Sequence, residues 1–287
     1  MSGTMTKQIA QPVVKQLFVE LPKMKVLSRP PDARSEITVY VKGFLAEGDT
    51  PDNFADWMHS HRLLVLSKNW EPTALGFSWP SGTASVPLPF ATLASASYLL
   101  ASNLKRLSQL RLPTPATILG AFAVDIGLHT GRLAYQFNQA TNESKERAEI
   151  LALRLLRLRS EHEHVRIVAH SLGCRHVVEA LSKLKPDERP DSVHLCAPAL
   201  VAEDVMPYIG KGQGGLARNK TIIYYSPKDM TLGVLLRAIL GGARPLGEAG
   251  LDPKTPIDST VQLVDASSSL GFFSHTDYAD KFHFMAR

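Results

Sequence analysis

The sequence predicts an α/β fold: a mostly parallel central sheet with helices on both faces and an extra helical insertion. Short β-branched or apolar runs recur along the chain, at Ile37–Val41, Val165–Ala169, Val193–Ala197 and Thr221–Tyr225. Such unbroken runs fit strands buried on both faces, not strands with one wet face. Helical segments separate the runs, and strand–helix alternation indicates a parallel sheet wrapped by helices. With 287 residues, 44% of them apolar and 21% charged, the chain can bury a large core without disulfide staples.

Residues 1–12 form a polar, flexible lead, and 13–287 read as one domain. Gln16–Glu20 and Met24–Leu27 are short extended segments, a hairpin or edge strands, and the prolines of residues 29–34 mark a loop. Ile37–Val41 is the first central strand. Residues 51–59 follow as a helix, with Thr50 as N-cap and Pro51 at the first helical position. Ala74–Trp79 is a strand stopped by Pro80-Ser81-Gly82. Residues 87–159 are helical, and the stretch at about 84–140 reads as an insertion or lid over the sheet. The last part of the 87–159 stretch, Lys145–Arg159, places Ala148, Leu151, Leu155 and Leu158 on one face, as a crossover helix requires. Val165–Ala169 precedes a helix over residues 172–184, which Pro186 ends. Val193–Ala197, Thr221–Tyr225 and Val261–Asp265 complete the strands, with helices near residues 200–208 and 230–240 between them.

Composition narrows the function. The net charge of +5 resides largely in Arg154, Arg157, Arg159 and Arg166, interleaved with Glu161 and Glu163. This is the pattern of a solvated helix face, and no nucleic-acid motif accompanies it. Cys174 and Cys196 are the only cysteines, which fits a reducing compartment. Residues 1–12 lack the apolar core of a signal peptide. The most apolar region, Ser85 to Tyr135, is broken by Pro87, Pro89, Lys105, Arg106, Arg111, Pro113, Pro115 and Asp125. A membrane span needs about 18–20 continuous apolar residues, so packed helices are favoured there over a membrane-surface hairpin. A cytoplasmic location is expected.

The chemistry centres on Val165-Arg166-Ile167-Val168-Ala169-His170-Ser171-Leu172-Gly173. A buried strand runs into a serine and then directly into a helix. In such a nucleophile elbow the residues two before and two after the serine must be small, which Ala169 and Gly173 are. The turn also leaves the Leu172 N–H at a helix N-terminus, free to donate to an oxyanion. A second donor is expected after the first central strand, where Gly43 permits close approach and Phe44 carries the N–H. A serine needs a base, and the base an orienting acid. Asp229, in the turn Ser226-Pro227-Lys228-Asp229, is the candidate acid, with Asp204 and Asp265 as competitors and a helix N-cap as its structural alternative. His275, in the loop after the last strand, is the candidate base, with His283 as rival. His170 is expected to pack against or line the pocket. His194 fits an interior histidine within a strand.

These residues together resemble the α/β-hydrolase superfamily, and more narrowly its domain-of-unknown-function serine hydrolase branch. The resemblance rests on Gly43-Phe44, Phe77-Ser78-Trp79-Pro80-Ser81, Ala169 to Gly173, Ala197-Pro198, Tyr225 to Asp229 and His275, in that order. Departures are Lys42, where many hydrolases carry His, the long helical stretch at Pro87–Tyr135 and, mildly, Ala169, where Gly is usual. The resemblance implies an α/β-hydrolase fold and the catalytic set Ser171, Asp229 and His275. Phe44 and Leu172 would form the oxyanion hole, with Gly43, Ala169, His170, Gly173 and Trp79 around the elbow. The implied activity is cleavage of a small-molecule ester, thioester or lipid through an acyl-enzyme, with no metal, organic cofactor or nucleic acid. A non-catalytic binding protein and a membrane-surface lipase are the rival expectations.

Overall fold

The computed structural model describes residues 22–30, 35–43, 53–79, 81, 137–271 and 275–287. Seven described strands form one sheet: β1 (Lys23–Ser28), β2 (Glu36–Val41), β3 (Ala74–Ser78), β4 (His164–His170), β5 (Ser192–Cys196), β6 (Lys220–Tyr225) and β7 (Val261–Asp265). Their spatial order is β1-β3-β2-β4-β5-β6-β7. Every neighbouring pair is parallel except β1 with β3, where Met24 faces Phe77 in an antiparallel edge. Met24–Leu27 is therefore an edge strand. Gln16–Glu20 lies outside the described residues, as do residues 1–12 and most of the predicted insertion.

The sequence runs read correctly because the central strands are buried on both faces. Every residue of β3 is buried, as are Ile37 to Val41 of β2, whereas the edge strands β1 and β7 are partly exposed. Alternation sorts the side chains between two layers. On one face lie α1 (Ala55–Lys68) and α5 (Asp277–Met285), packed on each other. Trp57, Trp70 and Phe282 meet Tyr40, His194 and Tyr224 there in edge-on and tilted ring contacts. Gly76 belongs to this face, since a Cβ on it would strike the Phe54 ring just before α1. Its neighbour Phe77 points the other way, onto His176 of α3 (Leu172–Leu181). Helix α2 (Ala148–Glu161) packs along α3, and α4 (Ala202–Ile209) follows β5.

Three helix boundaries differ from the sequence expectation. The first helix begins at Ala55, whose N–H donates to the Asn53 side-chain carbonyl at 3.1 Å, and it runs on to Lys68. Asn69, in the left-handed region at φ 55°, stops it. Thr50 and Pro51 lie outside the described residues. Helix α3 ends at Leu181, because Lys183 and Leu184 bond back only three residues, to Ala180 and Leu181, tightening the chain ahead of Pro186. The stretch at 230–240 is π-helical over Thr231–Leu236 and α-helical only at Arg237–Ile239.

Among the described residues, no helix is long and apolar enough to cross a membrane.

His176 shows how tightly the second layer is sealed. Its ring stacks on Trp79 at 4.7 Å and 4°, and its Nδ1–H donates to the Ser144 carbonyl at 2.9 Å. No acceptor among the described residues serves its buried Nε2. A proton there would have no partner, and burial lowers the imidazole to about 4, against the opposing pull of the Ser144 carbonyl. The unfolded chain takes up this proton near 6.5, the folded chain only near about 4. The stabilisation is complete above 6.5 and is lost as pH falls toward about 4, with about 2 kcal/mol going between pH 7 and 5. Urea unfolding at both pH values should show this component in the wild type and not in His176→Gln. Equal pH slopes in the two proteins would contradict it.

Candidate active site

In an open parallel sheet, ligands bind beyond the carboxyl ends of the strands, where the chain reverses its direction of winding. Here β2 connects to β3 on one side and has β4 on the other. The reversal therefore lies between β2 and β4, and Gly43 and Ser171 stand at their carboxyl ends.

Ser171 occupies φ 53° and ψ −124°, a conformation that L-residues adopt at a cost of about 1–3 kcal/mol. Hydrogen bonds and close packing offset the strain. Its N–H donates to the Cys196 carbonyl at 2.9 Å, and its carbonyl accepts from Cys174 at 3.0 Å and Ala199 at 3.2 Å. Ala169, facing Val41 on one side and Leu195 on the other, is fully buried. The two glycines allow the rest. A Cβ on Gly173 would collide with the Lys42 carbonyl oxygen and come 2.8 Å from that of Val41. A Cβ on Gly43 would stand 2.7 Å from both the His170 carbonyl oxygen and the Ser171 Cβ.

Trp79, expected around the elbow, lies between the end of β2 and α3. Its indole N–H donates to the Lys42 carbonyl at 2.8 Å, and its ring is buried on His176. It braces the end of β2 from below.

The structure brings together three side chains far apart in sequence. His275 Nε2 lies 2.9 Å from Ser171 Oγ, and His275 Nδ1 lies 2.7 Å from Asp229 Oδ2. All three residues are buried, at 6%, 7% and 1% exposure for Ser171, His275 and Asp229. The ionised carboxylate only accepts, so Nδ1 carries the proton and Nε2 is left to accept from the serine hydroxyl. The second Asp229 oxygen accepts the Leu232 N–H at 3.1 Å, and its backbone carbonyl accepts from Gly233 at 2.9 Å. Orienting a histidine and capping the following helical turn are thus compatible roles for one residue.

The rival residues are engaged elsewhere. Asp204 pairs with Arg175 and accepts the Val201 N–H at 3.3 Å. Asp265 accepts the Ser267 N–H at 2.8 Å. His283, on α5, shares a 3.2 Å hydrogen bond with Ser60. His194 is interior, stacked on Tyr224 and bonded to its hydroxyl at 2.9 Å. Leu172 opens α3, so its N–H has no carbonyl one turn back to meet. Phe44 lies outside the described residues. His170 makes a contact that sequence reasoning missed: its Nε2–H donates to the backbone carbonyl of His275 at 2.8 Å. Among the described residues, no cluster of three or more His, Cys, Asp or Glu side chains could hold a metal ion.

The glycine contacts make a direct prediction. Gly173→Ala forces a methyl into backbone carbonyls that cannot swing aside, with an expected loss of about 1–3 kcal/mol in denaturant unfolding. An unchanged midpoint would mean that the elbow and the end of β2 are not in contact.

The solved structures that this chain is similar to include the Pyrococcus furiosus esterase Pf2001, at 7% identity over 94% of this chain and 95% of that one, with a TM-score of 0.33. An arylesterase is 10% identical over 96% of this chain and 88% of that one, with a TM-score of 0.34. The Bacillus subtilis carboxylesterase CesB (YbfK) is 9% identical over 96% and 95%, with a TM-score of 0.30. No curated protein matches the chain. Residues 23–280 match the family model described as alpha/beta hydrolase of unknown function (DUF900), a span running from β1 into α5 and taking in the elbow and both partner loops, and the chain belongs to that family.

Proposed function

We propose that this chain is a serine hydrolase that cleaves carboxylic ester or thioester bonds through an acyl-enzyme. The observation that carries the proposal is the continuous hydrogen-bonded line from Ser171 Oγ through His275 to Asp229, at 2.9 and 2.7 Å, beginning in a strained strand-to-helix turn.

The residues divide the work as follows. His275 Nε2 takes the Ser171 hydroxyl proton while Oγ attacks the carbonyl carbon. Asp229 holds the ring in the Nδ1–H tautomer and stabilises the imidazolium that forms. The N–H groups of Leu172 and Phe44 donate to the oxyanion. As the tetrahedral intermediate collapses, His275 returns the proton to the departing alcohol or thiol. Water, deprotonated by His275, then attacks the acyl-serine, and Ser171 recovers its proton as the acid leaves. Small-molecule esters are the substrate class this site fits.

A fluorophosphonate probe tests the proposal without requiring the natural substrate, because it reacts only with an activated serine. Labelling is expected in the wild type and in His283→Ala, and is expected to vanish in Ser171→Ala. A folded wild type that takes no label would sink the hydrolase reading in favour of a binding protein. On a p-nitrophenyl ester, Asp229→Asn should lower kcat by ~10⁴-fold with KM little changed, because the wrong tautomer is then held. A loss confined to KM would give Asp229 a purely structural role.

A further inference from the structure

His170 is a polar side chain of the elbow for which the proposed chemistry has no use. Its ring lies 4.7 Å from that of His275, 5.9 Å from Tyr278 and 6.2 Å from Trp57, centroid to centroid. Its Nε2 lies 2.8 Å from the His275 carbonyl oxygen. A carbonyl only accepts, so His170 must be the Nε2–H tautomer in this contact.

This bond joins two parts of the chain that nothing in the local sequence relates. Ser171 follows a central strand, whereas His275 arrives 104 residues later, beyond β7 and at the entrance to α5. The hydrogen bonds of the His275 imidazole fix its ring direction. They do not fix how far its backbone stands from the elbow. The residue immediately before the nucleophile reaches across and holds that backbone.

We propose, resting on the serine-hydrolase reading above, that His170 is a positioning residue that clamps the His275 backbone to the elbow and thereby sets the Ser171–His275 distance. Trp57 and Tyr278 pack beside the ring and keep it from turning away. Desolvation holds the His170 imidazole well below its ordinary range, and the neighbouring His275 pushes it the same way. It is therefore neutral at neutral pH and places no second cation beside the imidazolium that His275 becomes.

The test compares wild type with His170→Leu, which removes the donor, and His170→Gln, which can present a side-chain N–H near the position of Nε2. The readouts are the rate of fluorophosphonate labelling at Ser171 and kcat and KM on p-nitrophenyl acetate. A misplacement of about 1 Å between reacting groups costs about 100-fold. His170→Leu should therefore lose about 100-fold in labelling rate and kcat with KM nearly unchanged, and His170→Gln should recover most of that loss. A Leu variant that labels and turns over like wild type, or a Gln variant no better than Leu, would overturn the proposal alone. Unlabelled wild type would overturn the hydrolase reading and this proposal with it. Should the Leu variant fail to fold, ¹⁵N-histidine NMR of the wild type at pH 7 decides. The Nε2–H tautomer at His170 is the expected result, and Nδ1–H would overturn the clamp.

Discussion

The Lys42 carbonyl is the point on which the rest of the molecule turns. It accepts the Trp79 indole N–H from one side, and Gly173 packs against it without room for a methyl. The first contact ties the end of β2 to a stack that runs through Trp79 and His176 to the Ser144 carbonyl. The second brings the start of α3 onto β2. Ser171 sits between these two constraints and cannot relax from φ 53° unless the helix or the strand withdraws. The close packing at Gly43 and Gly173 and the backbone hydrogen bonds of Ser171 together offset the strain at the serine.

The parallel sheet does the long-range assembly. Register places His170 beside Cys196, Cys196 beside Tyr224, and Tyr225 beside Asp265. The strands β4 to β7 therefore end at nearly the same level, and the segments that follow them open on one edge. Ser171, Asp229 and His275 follow β4, β6 and β7, so residues separated by 46 and 104 positions meet without any long side chain having to reach. The winding reversal between β2 and β4 lies beside the serine, the position where open parallel sheets ordinarily bind their ligands.

How much of this was legible in the sequence follows from the physics of each element. Strands buried on both faces read directly as apolar runs, and the elbow announced itself because its small residues are demanded by contact. The helix at 55–68 was placed too early because Thr50 and Pro51 are as good a start signal as Asn53, and only the backbone shows which is used. The π-helical turn after Asp229 was invisible, since hydrophobic spacing does not distinguish its hydrogen-bond pattern from an α-helical one over six residues. Asp229 was read as a choice between acid and cap, although a carboxylate with two oxygens can face both ways. Trp79 was placed only around the elbow, and His170 was expected to pack against or line the pocket. What each does depends on a single N–H aimed at a backbone carbonyl, and no pattern of residue types encodes that aim.

Those two N–H groups make parallel use of the same device. Trp79 ties down the Lys42 carbonyl just beyond β2, and in our proposal His170 fixes the backbone of His275. Each ties a segment distant in sequence to the elbow through its main chain, leaving the reacting side chains free to move a proton. In the proposed reaction Ser171 Oγ must stand within hydrogen-bond reach of His275 while the carbonyl it attacks stands within reach of donors beyond β2 and at the start of α3. A Cβ at Gly173 would press on the Lys42 and Val41 carbonyls, and one at Gly43 would press on the Ser171 side chain itself. The close contacts at these two glycines and the distances that the proposed reaction needs thus fall in the same part of the fold.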